Sequence, residues 1–99
     1  GSHQFRSFLA RIGCSVMVRG HERIVEGLRT TYDFPDAKLL TLFSAGGATS
    51  LDLPETSNYR EVTPMGLTIR WRNGVSRVAP FALDWSRYND PARNGFLAS

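Results

Sequence analysis

The sequence predicts an α+β fold in which one amino-terminal helix is followed by mostly antiparallel strands and hairpins. Three observations support it: helical apolar spacing near the amino terminus, apolar or alternating runs in the middle, and Asn73-Gly74 between two further runs. The 99 residues are enough for one modest core. We expect residues 1–3 to be a tag remnant, 4–83 to form the folded segment and 84–99 to form a tail.

Residues 4–12 have the spacing of an amphipathic helix. Their apolar side chains fall on one face: Phe5, Phe8, Leu9 and Ile12. Ser2 is placed to cap the start of this helix, and Gly13 is placed to end it.

Two runs in the next part of the chain predict strands of different burial. Residues 15–19 contain the continuous apolar run Val16-Met17-Val18, which is typical of a strand buried on both faces. Residues 28–34 alternate, which places Leu28, Thr30, Tyr32 and Phe34 on one face. A turn at residues 34–36 then leads into a strand over 38–45, so an antiparallel hairpin is expected.

A second hairpin is predicted around Asn73-Gly74, a pair typical of a type I′ turn. A two-residue turn sets Ile69 opposite Val78 and Trp71 opposite Ser76, and we expect Trp71 in the core. The polar stretch 48–63 before it is a long loop. The tail either docks through Trp85, Tyr88 and Phe96 or is loose.

The composition argues against several classes of protein. The formal net charge is +3, and Lys38 is the sole lysine among scattered arginines interleaved with acids, so no nucleic-acid partner is expected. No apolar run approaches the ~20 residues of a membrane span. Cys14 is the single cysteine, which excludes an internal disulfide and is compatible with a cytoplasmic location.

His21 is the residue with the clearest chemical interest. It follows a predicted strand, and a histidine at the carboxyl end of a strand is well placed to bind a metal ion at the rim of a sheet. The simpler interpretation is a loop histidine with one hydrogen bond.

Three short motifs occur in a characteristic order: Val18-Arg19-Gly20-His21, then Glu26-Gly27, then Phe43-Ser44-Ala45. This order resembles the carboxyl-terminal part of the phosphoprotein phosphatases, the serine/threonine phosphatases among the metallophosphoesterases. The resemblance covers residues 8–71 and is specific over 18–45. The interval from His21 to Phe43 is a few residues longer than in the family, and residues 34–37 are where extra length is tolerated.

The resemblance implies a fold, a site and a reaction. Two sheets would pack as a sandwich flanked by helices, as the last part of a metallophosphoesterase core. Two divalent metal ions (manganese, iron or zinc) would activate a hydroxide that attacks the phosphorus of a phosphoserine, a phosphothreonine or another phosphomonoester. His21 would be one metal ligand. The other ligand motifs and the general acid have no counterpart here, so a complete site is not expected and the chain alone should be inactive.

Further residues near these motifs are candidates as well. The resemblance implies that Gly27 would adopt an unusual backbone angle beside a loop-organising Glu26. Arg19 lies two residues before His21 and would share a strand face with it, so it is a candidate for the site, with an ion pair to Glu22 or Glu26 as the alternative. The family's Pro-Asn-Tyr after Ser-Ala is replaced here by Gly46-Gly47-Ala48, which suggests a bacterial branch. Tyr59, within the long loop, is the candidate to return a phenol to the site.

A different class of function also fits the residues. Arg70, Arg72 and Arg77 surround the Asn73-Gly74 turn, and they could bind an acidic partner in a non-catalytic α+β binding or regulatory module. If the chain is instead a fragment of a sandwich, its open strand edges would make it self-associate.

Overall fold

The computed structural model describes residues 1–51 and 53–95 and has an α+β fold. Helix α1 and strands β1 to β5 form the framework, with the bounds Ser2–Ile12, Val16–Arg19, Leu28–Phe34, Ala37–Leu42, Met65–Arg72 and Val75–Ala82. Two short 3-10 helices occupy Asn58–Glu61 and Trp85–Tyr88. No helix among the described residues is long and apolar enough to cross a membrane.

The strands form two sheets, and most of their pairings are antiparallel, as predicted. The larger sheet has the order β1-β3-β2, and the smaller one is the β4-β5 hairpin. Only β1 and β3 run parallel, with Arg19 beside Thr41 at their carboxyl ends.

Helix α1 starts earlier than predicted and buries less. Gly1 precedes the first turn and no side chain caps it, so the predicted capping role of Ser2 is wrong. Gly13 ends the helix with φ 72°, as expected. Leu9 is buried, whereas Phe8 and Ile12 are about half exposed, because the helix contacts the sheet along a narrow strip.

Strand β1 is not the buried strand that its apolar run predicted. Val16 and Met17 are only half-buried, and Val18 is 41% exposed. The reason is its position: β1 pairs with β3 along one edge, and no described strand pairs with its other edge. A continuous apolar run therefore lies on an open sheet margin.

Strand β2 departs from simple alternation because its register against β3 shifts between Thr30 and Tyr32. Such a bulge turns the following side chains to the other face of the sheet. Thr30 lines a cleft shared with Val78 of β5, while the Tyr32 ring stacks on Phe5 of α1 at 5.2 Å between centroids. The predicted single face for residues 28–34 is therefore wrong: α1 contacts one side of the sheet, and the cleft shared with the hairpin lies on the other.

The β4-β5 hairpin has the predicted turn and register. Asn73 and Gly74 have φ of 52° and 76°, and Ile69 pairs with Val78. Trp71 is 60% exposed, so its expected place in the core is wrong, although its indole Nε1–H donates to Ser15 Oγ at 3.3 Å.

The buried core is small. Among the described residues the buried hydrophobic side chains are Leu9, Ile24, Ala37, Leu40 and Val62. The Cα radius of gyration is 16.7 Å, whereas a compact chain of this length has about 13 Å. Much of the apolar surface of the two sheets is therefore open.

Asn89, near the start of the tail, contacts the long loop. Asn89 Nδ2 donates to the Thr49 carbonyl at 2.7 Å. Tyr88 is 48% exposed, so it is not a buried anchor. The Trp85 side chain and Phe96, the other two expected anchors, lie outside the described part of the structure.

Candidate functional site

The residues that carried the resemblance meet at one corner of the larger sheet, the strand-end corner (residues 20–23, 26–27, 43–44 and 58–61). Because β1 and β3 are parallel, Gly20-His21 and Phe43-Ser44 leave the sheet at the same edge. A Cβ on Gly20 would lie 3.7 Å from the Leu42 carbonyl oxygen, so the two strand ends are in close contact. The sequence separated these motifs by about twenty residues, and the fold brings them together.

His21 has an unusual backbone conformation for a residue with a side chain. Its φ is 71°, in the left-handed region, and its side chain is exposed. Such a conformation costs on the order of 1 kcal/mol and concentrates at functional positions. The His21 imidazole makes no hydrogen bond or ion pair with the described residues. The simpler interpretation, a loop histidine with one hydrogen bond, therefore finds no hydrogen-bond partner among them.

Glu22 neutralises two guanidinium groups beside His21. Its carboxylate lies 3.8 Å from Arg19 Nη1 and 3.2 Å from Arg29 Nη1. All three side chains are about half exposed, so these ion pairs are weak and Arg19 can rearrange at little cost.

Gly27 fixes the chain that returns from His21 to the sheet. Its φ is 78°, as the sequence predicted, and an added Cβ would overlap the Thr63 carbonyl oxygen and the Met65 side chain. Its carbonyl accepts from Phe43 N at 2.8 Å. Only glycine satisfies both the backbone angle and this approach.

Tyr59 returns to the corner from the long loop. Its ring stacks on Phe43 with 5.7 Å between centroids, and the Arg23 guanidinium carbon lies 6.0 Å from the Tyr59 ring centroid. Arg23 Nη2 also donates to the Asn58 carbonyl at 2.8 Å and to Glu61 Oε2 at 3.1 Å. The segment after His21 and the 3-10 helix that carries Tyr59 are thereby joined.

Arg60 holds the long loop in shape. Its guanidinium donates to three main-chain carbonyls, those of Pro54 at 2.9 Å, Ala48 at 2.9 Å and Leu53 at 2.6 Å. Gly47 N donates to the Tyr59 carbonyl at 3.0 Å and ties the start of the loop to its end. Neither Arg23 nor Arg60 was singled out from the sequence, because scattered arginines carry no local signal of their partners.

The corner offers one imidazole, that of His21, for a metal ion. Within residues 1–51 and 53–95, no group of three or more His, Cys, Asp or Glu side chains is arranged to hold a metal ion. An exposed neutral imidazole is a suitable single ligand. His21 would therefore supply one ligand of a metal site, and the other ligands would come from outside the described residues.

No protein-family model matches the chain, and no curated protein matches it.

Proposed function

We propose that this chain is the carboxyl-terminal segment of a metal-dependent phosphoprotein phosphatase that hydrolyses phosphomonoesters. The observation that carries the proposal is His21: a left-handed, exposed histidine with no described partner, at the shared carboxyl edge of β1 and β3. Its neighbours there are the Phe43-Ser44 strand end and the Gly27 turn, the other two motifs of the resemblance.

The role of each residue follows from its position. His21 would contribute one imidazole ligand to a pair of divalent ions, whose chemistry in the complete protein would be Lewis acidity toward the phosphoryl group. Glu22 holds Arg19 and Arg29 near the corner through weak pairs, which leaves Arg19 available to a phosphoryl oxygen. Tyr59 keeps the loop against Phe43. The chain alone is inactive because one imidazole cannot hold a metal pair.

The open surface of the larger sheet supports the same proposal. The β1 margin and the exposed faces of Phe8 and Ile12 are where the remainder of a sandwich would pack. In isolation this margin is available for strand pairing, so we propose that the 99-residue chain self-associates. Light scattering across a concentration series checks this, and a strictly monomeric species at high concentration would count against it.

The proposal is tested by His21→Asn in the complete gene product that carries this chain, in its cytoplasmic, metal-loaded form. Asparagine tolerates positive φ better than histidine but is a poor ligand of transition metals. We expect hydrolysis of p-nitrophenyl phosphate to fall by at least about 100-fold and metal content to drop. The free energy of unfolding of the 99-residue chain should rise by about 0.5 kcal/mol.

Arg11→Gln is the control, because Arg11 is exposed in the last turn of α1, which leads into the amino end of β1, whereas the corner lies at its carboxyl end. It should change neither metal content nor activity. Full activity of His21→Asn would sink the proposal, and so would a gene product without Asp-x-His, Gly-Asp and Asn-His-Glu motifs upstream of Gln4. Either result would favour the non-catalytic binding module.

A further inference from the structure

The outward face of the β4-β5 hairpin differs from its inward face. Side chains alternate along both strands, and Ser76 and Val78 point toward the larger sheet, where Ser76 is 3% exposed. The residues of the outward face pair across the strands in four rows: Gly66 with Phe81, Thr68 with Ala79, Arg70 with Arg77, and Arg72 with Val75. Apart from half-buried Gly66, every one of these residues is exposed.

Three arginines concentrate positive charge at the turn end of this face. Arg70 lies directly opposite Arg77, and Arg72 follows on the same face about 7 Å along β4. Like charges placed opposite one another destabilise a hairpin. No carboxylate among the described residues pairs with any of the three. Elsewhere the arginines with a carboxylate partner are Arg6, Arg19, Arg23 and Arg29.

The other end of the face is apolar. The Phe81 ring lies across Gly66, since a Cβ there would come within 2.8 Å of Phe81 Cε2. Phe81 is 47% exposed. Between Phe81 and the arginine pair lie Thr68 and Ala79, whose short side chains leave a shallow floor. Four residues of strand separate Phe81 from Arg77, about 13 Å.

We propose that this outward face docks an extended segment of a partner protein in which an apolar side chain lies about four residues from two or three acidic residues. The acids would bridge Arg70, Arg72 and Arg77 and relieve their repulsion, and the apolar side chain would cover Phe81. This inference is independent of the phosphatase proposal, because it uses no residue of the strand-end corner.

Two other occupants fit the face less well. A nucleic acid needs positive charge along the whole surface that its backbone follows. On this face the positive charge ends halfway along the strands, and Phe81 occupies the other end. A second copy of this chain presents the same arginines and no acidic residue on this face, so it lacks charge complementarity.

The test measures fluorescence anisotropy of labelled peptides with the 99-residue chain. The probes are two ten-residue peptides that place Phe four residues before, or four residues after, the centre of Asp-Glu-Asp, since the direction of docking is open. At least one should bind saturably, and its amide version, with Asn-Gln-Asn, should bind at least about tenfold more weakly. No saturable binding by either probe would overturn the proposal.

The decisive variant is Arg70→Gln/Arg72→Gln/Arg77→Gln, with Arg11→Gln/Arg87→Gln/Arg93→Gln as the matched control. Both remove three charges from exposed arginines, so net charge changes equally. The first should weaken binding at least about tenfold and the control less than about threefold. Because the first variant removes repulsion, it should keep its circular dichroism spectrum. Phe81→Ala should weaken binding about fivefold.

Two results would contradict the inference. Equal weakening by both triple variants would mean that net charge alone attracts the peptide. Binding of a single-stranded oligonucleotide as tightly as the better peptide, lost with the Arg70/Arg72/Arg77 variant, would assign the face to nucleic acid instead.

Discussion

The β4-β5 hairpin and the strand-end corner are built in opposite ways. In the hairpin, partners lie close in sequence, such as Arg72 and Val75 across a two-residue turn. In the corner, distant segments are joined by main-chain hydrogen bonds, from Phe43 N to the Gly27 carbonyl at 2.8 Å and from Thr63 N to the Val25 carbonyl at 2.8 Å. The register of the hairpin is therefore set by its own residues, whereas the candidate site exists only when the rest of the fold is in place.

The largest effect is expected from Gly27→Ala, which acts where the corner is tightest. The new Cβ would overlap the Thr63 carbonyl oxygen, and the residue would be held at φ 78°. Overlap with a backbone atom and positive φ together should lower the free energy of unfolding by about 3–4 kcal/mol or prevent folding. Urea denaturation followed by circular dichroism measures this loss.

Gly13→Ala separates the cost of the positive φ from the cost of the steric overlap. Gly13 has nearly the same φ, 72°, but an added Cβ meets nothing within 4 Å. It should cost about 1 kcal/mol, the contribution of the backbone angle alone. Equal costs for the two variants would mean that the approach of Thr63 to Gly27 adds nothing to the corner.

A smaller effect is expected from Asn73→Ala in the hairpin. Asn73 has φ 52°, which asparagine tolerates and alanine does not. The cost should be about 1 kcal/mol, and Asn73→Gly should be close to neutral. Hydrogen exchange should speed up at the Val75 amide and stay unchanged at the Phe43 amide. Faster exchange at Phe43 would show that the hairpin and the strand-end corner unfold together, which would contradict the contrast between them.

The same contrast explains what the sequence could predict. The register of the hairpin and the end of α1 at Gly13 depend on local chemistry, and each was predicted from the residues; the unusual backbone angle of Gly27 was predicted through the resemblance. The bulge after Thr30 and the exposure of Trp71 depend on what packs above each strand, which no local pattern carries.

The same distinction between local sequence and tertiary packing applies to the candidate site. His21 stands out through its place after an apolar run and through the resemblance, both of which are read along the chain. The three carbonyls that Arg60 binds lie 6 to 12 residues away, and the stacking of Tyr59 on Phe43 joins two segments of the fold. These contacts appear only once the loop is closed, because arginine and tyrosine side chains also occur on open surfaces without such partners.

The smallest effect is expected from Asp36→Asn. This variant tests whether the stabilisation that a contact contributes depends on its sequence separation or on its burial. Both Asp36 oxygens accept from Arg6 Nη2 at 3.0 Å, 30 residues away, but the two side chains are 64% and 46% exposed. The hydrogen bond from Arg6 lowers the pKa of Asp36 below its ordinary value. A lowered carboxyl pKa stabilises the fold above the unfolded-state pKa, and this contribution is lost as the pH falls through the folded-state pKa.

Asp36→Asn should therefore cost little at pH 7, and its difference from the unmodified chain should vanish in acid. Urea midpoints at pH 7 and at a series of acidic pH values measure this difference, and Arg6→Gln should remove the pH dependence in the same way. A cost as large as that of Gly27→Ala would mean that any contact between distant segments holds the fold. The expected small cost would mean instead that the corner is sensitive because its backbone contacts are buried, since water competes for an exposed pair at any sequence separation.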